Sequence, residues 1–395
     1  MFSVLLLVSI SNVIYAQWEA TSGPPGGAVR CVVTNGSRIL AGSAGGVYLS
    51  SNNGDTWNLT SLPAYCGVSS SILIIDSTFY VASGFGVVKS TDWGASWQLM
   101  NSGLSDTNIT SLAICGTTLL AGTYSGGVFV SSDYGLNWSP ANTGLTNPYV
   151  KKIYVKDSII YAGTSWFQGG VFISYNNGNS WVLSDNGLPN EELFDILKVQ
   201  NWLFCCFGDS GIFISNDFGQ SWFASGLPIG FGFYYKCLSN FGNSILIGGG
   251  NGAYITADGC NTWQDYNQGG LDFAGGVECF SMNSTYLFAA TGGNGVWRRR
   301  LTDLGNPDIV SDNEKINVYP NPAKDKISIV FSLPANGSIK VLLVDLSGNT
   351  IKTIDAGETY TQHIETSISD LPNGVYLLRI ELQDKVISKK VSVVR

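Results

Sequence analysis

Six tryptophans, Trp57, Trp97, Trp138, Trp181, Trp222 and Trp263, recur at intervals of 40, 41, 43, 41 and 41 residues. No other feature of the chain constrains its fold as tightly. Each tryptophan closes a segment reading Ser-x-Asp/Asn-x-Gly-x-x-Trp or a near variant: Ser50–Trp57, Ser90–Trp97, Ser131–Trp138, Ser174–Trp181, Ser215–Trp222 and Thr256–Trp263. A period of about forty residues is that of one four-stranded propeller blade. The chemistry of the segment is that of a turn. Asp or Asn folds its side-chain oxygen onto nearby backbone N–H groups, glycine supplies a positive φ, and the indole buries a large ring beside the next strand. In the sixth copy, Thr-Ala-Asp-Gly-Cys-Asn-Thr-Trp, the glycine stands one place early, which predicts a distorted turn.

Each unit also carries an inner apolar strand, a second strand such as Leu119-Leu120-Ala121-Gly122, and a Gly-Gly-Val-Phe third strand. A seventh unit supplies three strands, Val277–Ser281, Tyr286–Ala290 and Gly295–Arg299, without a box after them. In the other six units the fourth strand starts at a tryptophan. Trp18-Glu19-Ala20 has that pattern at the opposite end of the chain. It is expected to pair around Val296–Arg299, closing the ring and removing its open edges. The fold class expected is therefore all-β: a seven-bladed β-propeller over residues 17–304, followed by a small Ig-like β-sandwich. Few charges (13%), many aromatics (12%) and 48 glycines fit such an exported β protein. The stretch from about residue 18 to 304 resembles the Asp-box (BNR-type) propeller families. These include sialidases, xyloglucan-active glycosidases, sortilin-type receptors and photosystem II assembly factors. The resemblance implies fold and leaves function open, because such families share the turn and little else.

After a polar linker, residues 305–313, the pattern changes. Tyr319-Pro320-Asn321-Pro322 is followed by alternating runs Lys326–Leu333 and Ser338–Asp345. Then come Asp345-Leu346-Ser347-Gly348, Leu371-Pro372-Asn373-Gly374-Val375-Tyr376 and the basic run Ser388–Arg395. Period-two runs divided by Gly/Asn turns imply a sandwich. In this order the segments resemble the type A C-terminal sorting domain of the type IX secretion system, over residues 314–395. That resemblance implies Sec export, passage across the outer membrane by the type IX machinery, and release or surface attachment. Residues 1–16 read as the matching signal peptide, an apolar run ending at Ala16. No other stretch is long and apolar enough to span a bilayer.

Function is read by exclusion first. The net charge is −8, and acidic residues outnumber basic ones between Trp18 and Asn306, which argues against nucleic acid. The cysteines show no Cys-x-x-Cys spacing, and the single histidine, His363, lies in the other domain. No metal or cofactor is expected, and disulfide pairing stays open. Aligning the inner strands puts Arg30, Ser71, Ser111, Lys152, Asp195, Lys236 and Glu278 in one register, a polar ring expected to line the channel. Asp195 and Glu278 are the weak candidates for a glycosidase carboxylate pair, although opposite charges alternate around that ring. Ligand binding is expected instead on the face carrying the loops between second and third strands and between blades, at Tyr124, Trp166, Phe167, Asp209, Phe231 and Phe233, with Tyr234, Glu191, Glu192 and Asp272 nearby. The reading is a secreted, non-catalytic propeller that binds a glycan or a protein. The alternatives are a sialidase- or xyloglucanase-like hydrolase and a scaffold like the photosystem II stability factors.

Overall fold

The computed structural model describes residues 17–25, 27–63, 71–165, 169–225, 227, 234–257, 259–260, 262–301, 316–319, 323–331, 340–345, 349–355, 363–382 and 385–394. The chain divides into two compact units, Met1–Pro307 and Asp308–Arg395. The first holds seven four-stranded antiparallel sheets. Six are built from consecutive strands, the first blade from Val29–Asn35, Arg38–Ser43, Gly46–Ser50 and Asn58–Leu59. The seventh joins both ends of the unit. Its strands Val277–Met282, Tyr286–Thr291 and Val296–Arg300 are completed by Glu19–Ala20, with Glu19 opposite Arg298 and Ala20 opposite Trp297. The expected closure is therefore present. Along each second strand, the buried side chains fill both faces and pack between neighbouring blades. Ile39, Leu40 and Ala41 are fully buried, as are their counterparts Leu119, Leu120 and Ala121.

The boxes are hydrogen-bonded turns satisfied almost entirely from within. In the third, Ser131 Oγ accepts the Gly135 N–H at 2.8 Å and donates to Asp133 Oδ1 at 2.7 Å. Asp133 in turn accepts the Asn137 N–H at 2.9 Å. Asn52 and Asn176 perform the aspartate's task in blades one and four. Two successive residues adopt positive φ, for instance Tyr134 at 58° and Gly135 at 88°. The sixth box keeps its hydroxyl bond with Cys260, at φ 72°, in the place of the glycine. The Cys260 N–H reaches Thr256 Oγ at 3.2 Å, longer than in the regular boxes.

The closing tryptophans of blades three, four and five fasten their blades to the preceding ones. The indole N–H of Trp138 donates to the Met100 carbonyl at 2.9 Å, and that of Trp181 to the Ala141 carbonyl at 2.7 Å. Their backbone N–H groups reach Ser102 and Thr143. Trp18 repeats both bonds without a box, to the carbonyls of Tyr266 (2.6 Å) and Gln268 (2.7 Å). It is 2% exposed, and burying an indole is worth about 4–6 kcal/mol as an upper bound. Arg298 adds a clasp. Its guanidinium bonds Glu19 and Asp55 at 2.7 Å each and the Asn53 carbonyl at 2.6 Å, joining the first strand, the last strand and blade one. The arginine run at the end of the propeller is thus in part a closure device.

The second unit packs a three-stranded sheet, Ile316–Tyr319, Lys326–Phe331 and His363–Ser367, on a four-stranded one. The latter contains Lys340–Val344, Thr350–Asp355, Gly374–Leu382 and Lys385–Val393. Both sheets feed one core, including Ile327, Ile329, Val341, Leu343, Leu378 and Ile380. It is the small β-sandwich expected from the period-two runs.

Candidate functional site

Strand pairing redraws the polar ring. In blades one, three, four, six and seven the inner strand carries a β-bulge, and just past it Cys31, Cys237 and Cys279 lie opposite Gly42, Gly248 and Ala290. These are the places held elsewhere by Ser71, Ser111, Lys152 and Asp195. Arg30, Lys236 and Glu278 are the extra residues of the bulges, one position earlier. Thr110 and Lys151 hold that same extra place in blades three and four, so the aligned ring mixes two positions that the pairing with the second strand separates. The true register position joins blades. Ser71 Oγ accepts the Leu112 N–H at 3.2 Å, Ser111 Oγ accepts the Ile153 N–H at 2.9 Å, and Asp195 Oδ2 accepts the Leu238 N–H at 2.9 Å. The Cys237 and Cys279 thiols point at the Val277 and Val32 carbonyls. Burial pushes the Cys31, Cys237 and Cys279 thiols above their ordinary range, so they stay protonated at neutral pH.

The two carboxylates considered for catalysis are both committed. Asp195 is 7% exposed, and its Oδ1 takes the Ile196 N–H at 2.9 Å and the Lys152 ammonium at 2.8 Å. Burial works against the Lys152 charge, but Asp195 more than reverses this and holds the ammonium above the usual lysine range. Glu278 is paired with Lys236 of the neighbouring blade. Each pair joins a lysine of one blade to a carboxylate of the next.

At the end where inner strands begin, a contact chain crosses blades four to seven. Lys151 bonds Glu192 at 2.8 Å and lies 5.1 Å from the Phe194 ring centre. Phe194 meets Tyr234 edge-on at 5.2 Å, and Lys236 sits 5.9 Å above Tyr234. Burial raises the Tyr234 phenol, helped by the charges of Glu192, Asp209 and Glu191. Asp209 is exposed on the short turn Gly208–Ser210. Tyr124 stands apart. It is 47% exposed and packs edge-on against Tyr149 at 5.9 Å. Asp272 is exposed on the turn Leu271–Phe273. Trp166, Phe167, Phe231 and Phe233 lie outside the described residues.

Sequence reasoning missed Phe194 and Lys151 at this site, and a turn that recurs in the propeller. Asn101, Asn142 and Asn267 accept the N–H of Val87, Val128 and Ala253 at the start of a third strand and donate to a carbonyl just before it. Glycine follows two places on, because a Cβ at Gly103, Gly144 or Gly269 would fall 2.0–2.3 Å from a tryptophan carbonyl oxygen. The signal was present as Asn-Ser-Gly-Leu, Asn-Thr-Gly-Leu and Asn-Gln-Gly-Gly. Among the described residues no group of three or more His, Cys, Asp or Glu could hold a metal ion. No described helix is long and apolar enough to cross a membrane.

Fold and tail together define an exported two-domain protein, a seven-bladed β-propeller carrying a β-sandwich sorting module. Residues 317–394 match the family of secretion system C-terminal sorting domains. Such a tail is the mark of type IX cargo, and the protein is secreted or held at the cell surface. No curated protein sequence matches the chain. Among solved structures it is similar to PorZ, a surface component of the type IX secretion system of Porphyromonas gingivalis. There the identity is 14% and the TM-score 0.56, covering 95% of this chain and 61% of that one. It is also similar to the GH74 xyloglucanase of Xanthomonas campestris (14%, TM-score 0.59, 86% and 63%) and to YCF48 bound to a D1 peptide (17%, TM-score 0.57, 73% and 98%). The chain spans about three-fifths of the length of PorZ and of the xyloglucanase. At these identities the likeness concerns fold alone.

Proposed function

We propose that this protein is a non-catalytic binding propeller of Asp-box type, carried to the cell exterior by its tail and engaging a glycan or protein through the loop face. In this reading residues 1–16 are a signal peptide, 17–304 the propeller, 305–313 a linker and 314–395 the sorting domain recognised by the type IX machinery. The observation that carries it is the commitment of Asp195 and Glu278 to lysines. Retaining and inverting glycosidases need two carboxylates facing one glycosidic bond across an open cleft, one protonated and one ionised. Asp195, which accepts two backbone N–H groups and an ammonium, has little capacity left for either task.

Exposed aromatic rings beside carboxylates support the loop face as the binding surface, since such rings supply contact area at low entropic cost. Tyr124, Tyr234 and Asp209 belong to that face, as do Trp166, Phe167, Phe231 and Phe233 by sequence position. A glycan array, a protein array and a panel of chromogenic glycosides, run with the full mature chain, test the proposal. Capture without turnover is expected, and combined Ala replacement of Tyr124, Trp166 and Phe167 should abolish it. Turnover that disappears in Asp195→Asn or Glu278→Gln would favour the xyloglucanase-like alternative instead.

A further inference from the structure

The seven blades offer an internal comparison, because the repeat fixes which positions correspond. Four positions on the box side correspond from one blade junction to the next. At the junction of blades four and five they are Tyr175, Val182, Leu183 and Phe218, which are 62%, 62%, 45% and 50% exposed. Between blades three and four the same positions hold Ser132, Ser139, Pro140 and Asn177. Between blades one and two they hold Ser51, Asn58, Leu59 and Trp93. Only the junction of blades four and five is apolar at all four. Nothing in the fold requires this, since serine and asparagine serve the same turns elsewhere. Exposed apolar clustering of this kind marks a contact surface.

These residues line a groove of about 150 Å³ together with Asp185, Asn186 and Gln220, all three exposed. Asp185 also departs from the repeat. It occupies the place of Asn101, Asn142 and Asn267, whose amides donate to a backbone carbonyl. A carboxylate cannot make that bond, as it only accepts. The groove thus pairs two exposed aromatic rings with a carboxylate and two amides. Its volume suits one six-membered ring rather than a helix or strand. Rings that stack on C–H faces, amides that donate and accept, and a carboxylate that takes hydroxyl protons are together the chemistry of a sugar. The negative charge selects against acidic sugars.

We infer that the groove between blades four and five binds one pyranose ring of a neutral glycan, stacked against Tyr175 and Phe218 and hydrogen-bonded by Asp185. This site is separate from the loop face. The test is capture of the full mature chain on an array of neutral hexose and N-acetylhexosamine oligosaccharides, alongside a peptide array. The variant Tyr175→Ser/Phe218→Asn uses residues that blades one and three and blades one and four already hold there, and should keep the melting temperature. Wild type should be captured by at least one neutral glycan, and the double variant should lose about tenfold or more of that affinity. Asp185→Ala should weaken it too, and decides the matter if the double variant unfolds. Leu136→Ala, an exposed apolar residue of the third box, should leave this capture unchanged. The inference is overturned if wild type captures no neutral glycan, or if capture ignores Tyr175, Phe218 and Asp185. Loss in Tyr124→Ala alone would assign the glycan to the loop face, and peptide capture dependent on Tyr175 and Phe218 would assign the groove to a protein.

Discussion

The box carboxylates show how far a single residue can be read. Hydrogen bonds from Ser96 and Ser90 hold Asp92 down to about 2, and those from Asn137 and Ser131 hold Asp133 at about 2. Both lie below the ordinary carboxylate value of about 3.9. Their stabilising contribution is therefore complete above roughly pH 4 and is lost as pH falls towards 2. Asp92→Asn should flatten that acid limb in melting temperature measured against pH, while changing little at pH 7, where Asn52 and Asn176 already do the same work. Unaltered acid sensitivity would count against the box as its source. Arg298 is the opposite kind of residue. Its side chain is 16% exposed and bonded to three partners, so Arg298→Ala should cost about 2–4 kcal/mol in denaturant unfolding. Lysine should rescue it poorly, because one ammonium cannot fan out to three acceptors.

At the scale of the element, the box was fully legible in the sequence and the turn opposite it was not. A box announces itself through Ser, Asp, Gly and Trp at fixed offsets. The Asn-x-Gly turn is shorter, and its reason lies in another blade, where the tryptophan carbonyl leaves no room for a Cβ. Gly144→Ala should therefore cost about 2–4 kcal/mol, from positive φ and the clash at 2.3 Å together. Urea titration of that variant checks it, with Gly116→Ala as the comparison. Gly116 also has positive φ, but no atom lies within 4 Å of its added Cβ. The polar ring failed for a related reason. Matching polar residues along the inner strands alone sets the extra residues of three bulges beside the register residues of four other blades, whereas pairing with the second strand fixes one register for all seven.

For the whole molecule the decisive feature is closure between residues that are hundreds of positions apart. Deleting residues 17–22 removes the outer strand of blade seven, Trp18 and one side of the Arg298 clasp. It should lower the melting temperature sharply and broaden the transition as an open edge is left behind. Trp18→Ala alone should cost about 3–5 kcal/mol. An unchanged melting temperature in either variant would contradict the closure described here. At the other end, a reporter fused to residues 305–395 should reach the medium or the cell surface in a type IX-competent host, and retention in the periplasm would refute a sorting role.

The sequence by itself determined the number of blades, the strand that closes them and the export tail, because each is written in a local pattern repeated or ordered along the chain. Tertiary structure alone decided which polar residues share a register, that Asp195 and Glu278 are each bound to a lysine, and that four apolar side chains converge at a single blade junction. Those facts depend on neighbours brought together across blades by pairing and packing, and no period along one strand encodes them.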